Sequence, residues 1–71
     1  MNQINPKKLK LSKWTAVNPQ NKEKHFIVSK VTFDEENNVS LCVIEAVMSN
    51  KESSIDWKTL KNSAHWKQGW V

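Results

Sequence analysis

Seventy-one residues with one cysteine, two histidines and one glycine allow a single small domain and exclude an intramolecular disulfide, a Cys/His zinc site and the clustered glycines of a phosphate-binding loop. The net charge of +4 is carried by eleven lysines and no arginine, which suits general attraction to polyanions and not bidentate reading of bases. A domain of this size buries only about 60% of the surface its unfolded chain exposes, so it needs reinforcement, and its four tryptophans are the staples available.

In chain order, residues 1–8 are expected to form a loosely ordered basic arm, with Pro6 holding Asn5 extended. Residues 9–71 form one β-rich domain. The alternation of Leu9 and Leu11 with Lys8, Lys10 and Ser12 predicts an edge strand guarded by lysine. It continues into KWTAV (Lys13–Val17), where Trp14 and Ala16 share a face. NPQNKEK (Asn18–Lys24) reads as a loop opened by Asn-Pro.

Two longer β-like runs follow, HFIVSKVTF (His25–Phe33) and VSLCVIEAVM (Val39–Met48). The DEENN between them fits a three-residue hairpin loop with Asn37 left-handed. That register pairs Phe26 with Ala46, Val28 with Ile44, Lys30 with Cys42 and Thr32 with Ser40. It carries the hydrophobic surface from one face to the other along the hairpin, as in a coiled hairpin of a small barrel. A two-residue turn at Asn50-Lys51 brings Ile55 opposite Ala46 and Trp57 opposite Ile44. The predicted core is therefore Phe26, Val28, Ile44, Ala46, Ile55 and Trp57. Beyond it, Asp56 caps a short helical turn WKTLK, and Ser63 caps a last one through Gln68 with Gly69 at its C-terminus. The fold class is mainly β leaning to α+β: an antiparallel meander or SH3-like or OB-like barrel of three to four strands with short C-terminal helical turns.

Cys42 lies mid-strand beside no histidine and reads as a small buried hydrophobe. Glu45, the one charge within an apolar run, lacks the second carboxylate that hydrolytic chemistry needs and is expected to pair with a lysine or His25 or to sit at an exposed edge. No enzyme, cofactor or metal site is expected. The charge is uneven: residues 1–33 carry +6, residues 34–56 carry −5 and residues 57–71 carry +3. If the two basic ends meet, they make one positive face.

The segments PKKLKLSKWTAVNPQNKEKHFIV, IEAV and DWKTLKNSAHWKQGW resemble the small bacterial tryptophan-rich conserved hypothetical proteins. The resemblance runs from Asn5 to Trp70 and rests on Lys13, Trp14, Thr15, Pro19, His25, Phe26, Glu45, Ala46, Val47, Trp57, Leu60, Trp66, Gly69 and Trp70. Asn37 departs from the glycine that relatives carry at the turn and keeps its left-handed role. The resemblance implies a small bacterial cytosolic protein and no particular chemistry.

The functional expectation is a non-enzymatic binding module for single-stranded DNA or RNA. Lys7, Lys8, Lys10, Lys13 and Lys67 would neutralise phosphates, and Trp14 and Trp70 would stack bases, with Trp66 mainly structural. The alternative is an adaptor for a protein partner, since tryptophan is enriched at interface hot spots and an unclosed sheet edge accepts a strand. No apolar stretch spans a membrane, the N-terminal run lacks the continuous apolar segment of a signal peptide, and the unpaired cysteine suits a reducing compartment. A cytoplasmic location is the expectation.

Overall fold

The computed structural model describes residues 2–71; Met1, the first residue of the expected arm, lies outside them. Five strands form one antiparallel sheet: β1 (Lys13–Gln20), β2 (Glu23–Phe33), β3 (Val39–Ala46), β4 (Glu52–Ile55) and β5 (Trp66–Gln68). Two 3-10 turns accompany them, η1 (Pro6–Lys8) and η2 (Trp57–Lys61). The spatial order is β4-β3-β2-β1-β5. The mainly β class holds, but the barrel does not form: β4 and β5 occupy opposite edges of an open sheet.

The reason lies in the β2–β3 pairing. Phe26/Ala46, Ile27/Glu45 and Val28/Ile44 pair as the sequence predicts, but Lys30 then faces Val43 and Val31 faces Cys42. Ser29 is thus an extra residue in β2, a bulge. A second irregularity restores Phe33/Val39. The slip of one residue takes Cys42 away from Lys30 and turns Val31 to the core side, against which it packs. The hydrophobic crossing that pointed to a barrel is absorbed by a bulge, which switches the face of the apolar residues within one sheet.

The turns follow local chemistry. Asn37 is left-handed at φ 64, and the Asp34 carboxylate accepts from the amides of Glu36 and Asn38, both at 2.9 Å, so the three-residue loop forms as expected. The Asn18–Lys24 segment is not an open loop. β1 and β2 run into it and join at Asn21-Lys22, both at positive φ (53 and 62), the two-residue geometry that matches strand twist. Pro19 falls where β1–β2 pairing lapses between Thr15 and Gln20, the place a residue without an amide proton is tolerated. The β3–β4 turn is longer than predicted: Asn50 donates to the Ala46 carbonyl at 2.7 Å and Ala46 to that of Lys51 at 2.9 Å. Ile55 consequently faces Cys42 instead of Ala46. The displacement is an even number of residues, so Ile55 stays on the core side.

Two segments depart from their predicted class. The alternation at residues 8–12 gives no strand. Leu9 closes η1 onto the Pro6 carbonyl, Leu11 takes φ 66, and Ser12 hydrogen-bonds Leu9 through both its amide and its hydroxyl. Leu11 and Ser12 still bond the Val28 backbone, at 2.8 and 2.9 Å, while Leu9 turns into the core. At the other end, the Asp56 carboxylate caps η2 by accepting from the Lys58 amide at 3.0 Å, as expected. The final segment, however, is strand β5 and not a helical turn. It pairs Ala16/Trp66, Thr15/Lys67 and Trp14/Gln68 along the free edge of β1.

One face of the sheet is covered. Leu9, Trp14, Val28, Cys42, Ile44 and Leu60 form the core, with Phe26, Ile55, Trp57 and Trp66 packed against it. Every predicted core residue is buried or packed on this cluster, Ala46 included. Leu9 and Leu60 reach it from the two 3-10 segments. Residues 2–8 are tied into this layer: the Asn2 side-chain amide donates to the carbonyls of Leu60 (2.9 Å) and Trp66 (2.8 Å), and the Gln68 amide donates to that of Gln3 at 2.7 Å. The molecule measures 37 × 25 × 15 Å, the thickness of a sheet plus a single covering layer.

Candidate interaction surface

The tryptophans divide by position. Trp14 is 2% exposed, and its indole donates to the Ser12 hydroxyl at 2.8 Å. Expected as a stacking platform, it is instead the centre of the core, because β1 runs beneath the covering layer and its even positions face inward. Trp66 meets Phe26 edge-on, centroids 5.2 Å apart at 84°. Trp57 is half-buried under the Lys61 ammonium, 4.7 Å from the ring centroid. Trp70 remains 43% exposed.

Trp70 belongs to a clip that fastens residues 69–71 onto the other face of the sheet. Gly69 bends at φ 81 and donates to the Lys13 carbonyl at 2.8 Å. The Thr15 hydroxyl, buried with its residue at 2% exposure, donates to the Gly69 carbonyl at 2.7 Å and accepts from the Val71 amide at 3.1 Å. The Trp70 indole donates to the Phe26 carbonyl at 2.9 Å, and His25 Nε2 lies 3.1 Å from the Val71 carbonyl oxygen. The His25 ring sits 5.9 Å from that of Trp70, and the Lys13 ammonium stands 4.7 Å over the indole.

Strand register places the rest of this face. One row across the sheet reads Glu52, Glu45, Ile27, Lys13. The next reads Val47, whose amide bonds the His25 carbonyl at 2.9 Å, then His25, Thr15 and Lys67. Val43, opposite Lys30 and Ser54, lies beyond the first row. Apart from residues 69–71, no described element packs across this open face. Ile27, Val43 and Val47 are its apolar members, Glu45 and Glu52 lie on its β3–β4 side, and Lys13 and Lys67 lie on its β1–β5 side.

The predicted phosphate-binding lysines are not one cluster. Lys13 and Lys67 share the open face beside Trp70. Lys7 and Lys8 belong to η1 in the covering layer, Lys7 beside Phe33 and Asn37 and Lys8 beside Leu9 and Gln68. Lys10 follows η1 on the exposed turn before β1. The sequence signal that was missed is the two-residue alternation of Lys13 with Thr15 and of Glu45 with Val47, which marks a second, uncovered face.

A concavity of about 650 Å³ lies elsewhere, between η2 and the β1–β5 edge, and includes Asn18, Asp56, Asn62, His65 and Trp66. Asp56 and Asn62 each commit a side-chain oxygen to a local backbone amide there, those of Lys58 and Ala64. Cys42 is 1% exposed; burial raises its thiol pKa, and Asp56 raises it further, so it is no nucleophile. This effect stabilises the fold below the ordinary thiol range and is lost as the pH rises through the folded-state value. Cys42 is expected to resist iodoacetamide at mildly alkaline pH in the native protein and to react once urea unfolds it, as mass spectrometry would read. Native labelling as fast as unfolded labelling would contradict this placement.

No helix of the described residues is long and apolar enough to cross a membrane. A family model described as Tryptophan-rich protein (DUF2389) matches residues 12–71. No match is found among curated proteins or among solved structures.

Proposed function

The chain belongs to the Tryptophan-rich protein family (DUF2389), and from that premise we propose that it is a non-enzymatic protein-interaction module that docks a partner on the open face of its sheet. What carries the reading is the uncovered face itself. Ile27, Val43, Val47 and Trp70 put apolar side chains on this face beside Glu45 and Lys13, the mixture of apolar and charged groups that a partner surface carries. A sheet face meant only for water alternates to polar residues. The covering layer makes the tryptophans the means by which a small chain holds its sheet rigid. With Trp14 in the core and Lys13 over the Trp70 ring, neither indole offers a free stacking face.

A second reading, binding of single-stranded nucleic acid, is favoured by the grouping of Lys13 and Lys67 beside Trp70. It requires Lys13 to swing off the indole so that a base takes its place.

The two separate by experiment. Val47, 41% exposed, tolerates replacement without harm to the core. Under the interaction reading, a protein partner held by the immobilised wild-type chain at high salt is lost on Val47→Asp, with thermal unfolding unchanged. Retention of every partner by the variant would overturn it. Under the nucleic-acid reading, tryptophan fluorescence reports binding of single-stranded DNA or RNA that falls steeply with salt and weakens on Lys13→Glu and Lys67→Glu.

A further inference from the structure

We infer that the partner for the open sheet face is a second copy of this chain, joined in a two-fold dimer in which Lys13 and Lys67 of each copy face Glu45 and Glu52 of the other. This rests on the interaction reading above and names its occupant. The argument starts from one like-charge pair. Glu45 and Glu52 are direct cross-strand neighbours on the open face, an arrangement that destabilises a sheet. Glu52 has a hydrogen bond from the Ser29 hydroxyl at 2.9 Å, but a neutral donor does not cancel the repulsion. Across Ile27, in the same row, stands Lys13, and Lys67 stands one row away opposite Thr15. Acid and base thus occupy opposite lateral halves of one face, with Ile27 and His25 of β2 between them. Lys30, opposite Val43, is exposed and lies beyond the acidic row, toward the β2–β3 turn.

Such a face is complementary to itself. Turn a second copy about an axis that runs along β2 in the plane between two facing sheets. Strand direction is kept and lateral order is reversed. The acidic half of each copy then covers the basic half of the other, and the open-face residues of β2 meet their own counterparts along the axis: Ile27 at the centre of the contact, His25 on one side of it and Lys30 toward its end near the β2–β3 turn. This is the isologous contact that two-fold dimers use, in the aligned arrangement normal for packed sheets. The molecule's outline across the sheet is 37 × 25 Å, large enough to hold the ~800 Å² per partner of a standard interface. The contact would also cover Trp70 and the clip, giving a chain of marginal size the additional burial that small domains take from oligomerisation.

Sedimentation equilibrium of the full chain across the micromolar range, at low and high salt, tests this. The wild type is expected to be a dimer that weakens with salt. Lys13→Glu with Lys67→Glu, and separately Glu45→Lys with Glu52→Lys, each raise the dissociation constant at least about tenfold. Mixing the two variants restores a dimer, because every facing pair is again opposite in sign. Should a double variant fail the circular-dichroism check for folding, the exposed pair Lys67→Glu and Glu52→Lys gives the same comparison. A wild type monomeric throughout, a dimer indifferent to both reversals, or variants that fail to recombine would each overturn the inference. A monomeric wild type whose Val47→Asp variant still loses a different protein would end the homodimer and leave the interaction reading standing.

Discussion

Trp14→Ala is expected to lower the midpoint of thermal unfolding by roughly 15–30 °C. Removing a buried tryptophan costs about 3–5 kcal/mol in lost transfer energy and residual cavity. A chain of 71 residues has a total stability of about 4–10 kcal/mol at the usual per-residue values, so this one change removes a large share of it. Trp14 is 2% exposed, within a cluster that draws on η1, β1, β2, β3 and η2. Its loss therefore loosens the covering layer and the sheet together. Calorimetry or circular dichroism reads the shift, and Trp14→Phe, which keeps most of the volume and loses only the indole bond to Ser12, should cost less than half as much. A Trp14→Ala protein melting with the wild type would mean that the indole does not organise the core.

Deleting residues 69–71 is expected to lower the same midpoint by about 10–25 °C. The deletion removes the Gly69 amide bond to Lys13, both Thr15 hydroxyl bonds and the Trp70 indole bond to Phe26. At a net ~0.5–1.5 kcal/mol each, the four sum to about 2–6 kcal/mol before any apolar burial by Trp70. It also exposes Thr15, 2% accessible in the intact chain. Trp70→Phe separates ring from hydrogen bond: it keeps the body over β1 and β2 and loses the Nε1 donor alone, at about 1 kcal/mol. Equal melting of truncated and full-length protein would show that the clip bears no load, and Trp70 would then be free to serve a ligand.

The meander was readable from local patterns. The DEENN turn with left-handed Asn37, the Asp56 cap and the inward set Phe26, Val28, Ile44 and Ala46 follow from turn chemistry and two-residue alternation, and the structure carries all of them. What failed was wherever a tertiary contact outranked a local signal. The alternation at residues 8–12 has strand form, but Leu9 is needed over the sheet as a lid and not within it. The Ser63–Gln68 segment has a cap and a terminal glycine, but the free edge of β1 offers backbone pairing to any extended segment that reaches it. The Ser29 bulge leaves no compositional mark, and it moves Cys42 from Lys30 to Val31. The candidate surface was half visible. Lys13 does stand over Trp70, with Lys67 in the neighbouring row opposite Thr15, and Glu45 faces Ile27 as the sequence register has it, while Glu52 could be placed only once the β3–β4 register was known, because the longer turn shifts which residues face each other.

The strand order has a further consequence for how the chain is made. β1 is synthesised first among the strands and β5 last, yet the two are neighbours. A nascent chain can zip β1 through β4 by successive hairpins of low contact order. During that interval β1 is an edge strand whose outward amides and carbonyls, from Lys13 to Ala16, have no partner, and Trp14 lacks the lid that Leu60 supplies. Such an edge is a template for mispairing with another emerging chain. Sealing therefore falls to a three-residue strand, and the surrounding lysines, all of one sign, serve in the meantime as a repulsive guard between nascent copies. Trp66 and the residues that follow it close that edge by pairing with β1, which removes the template.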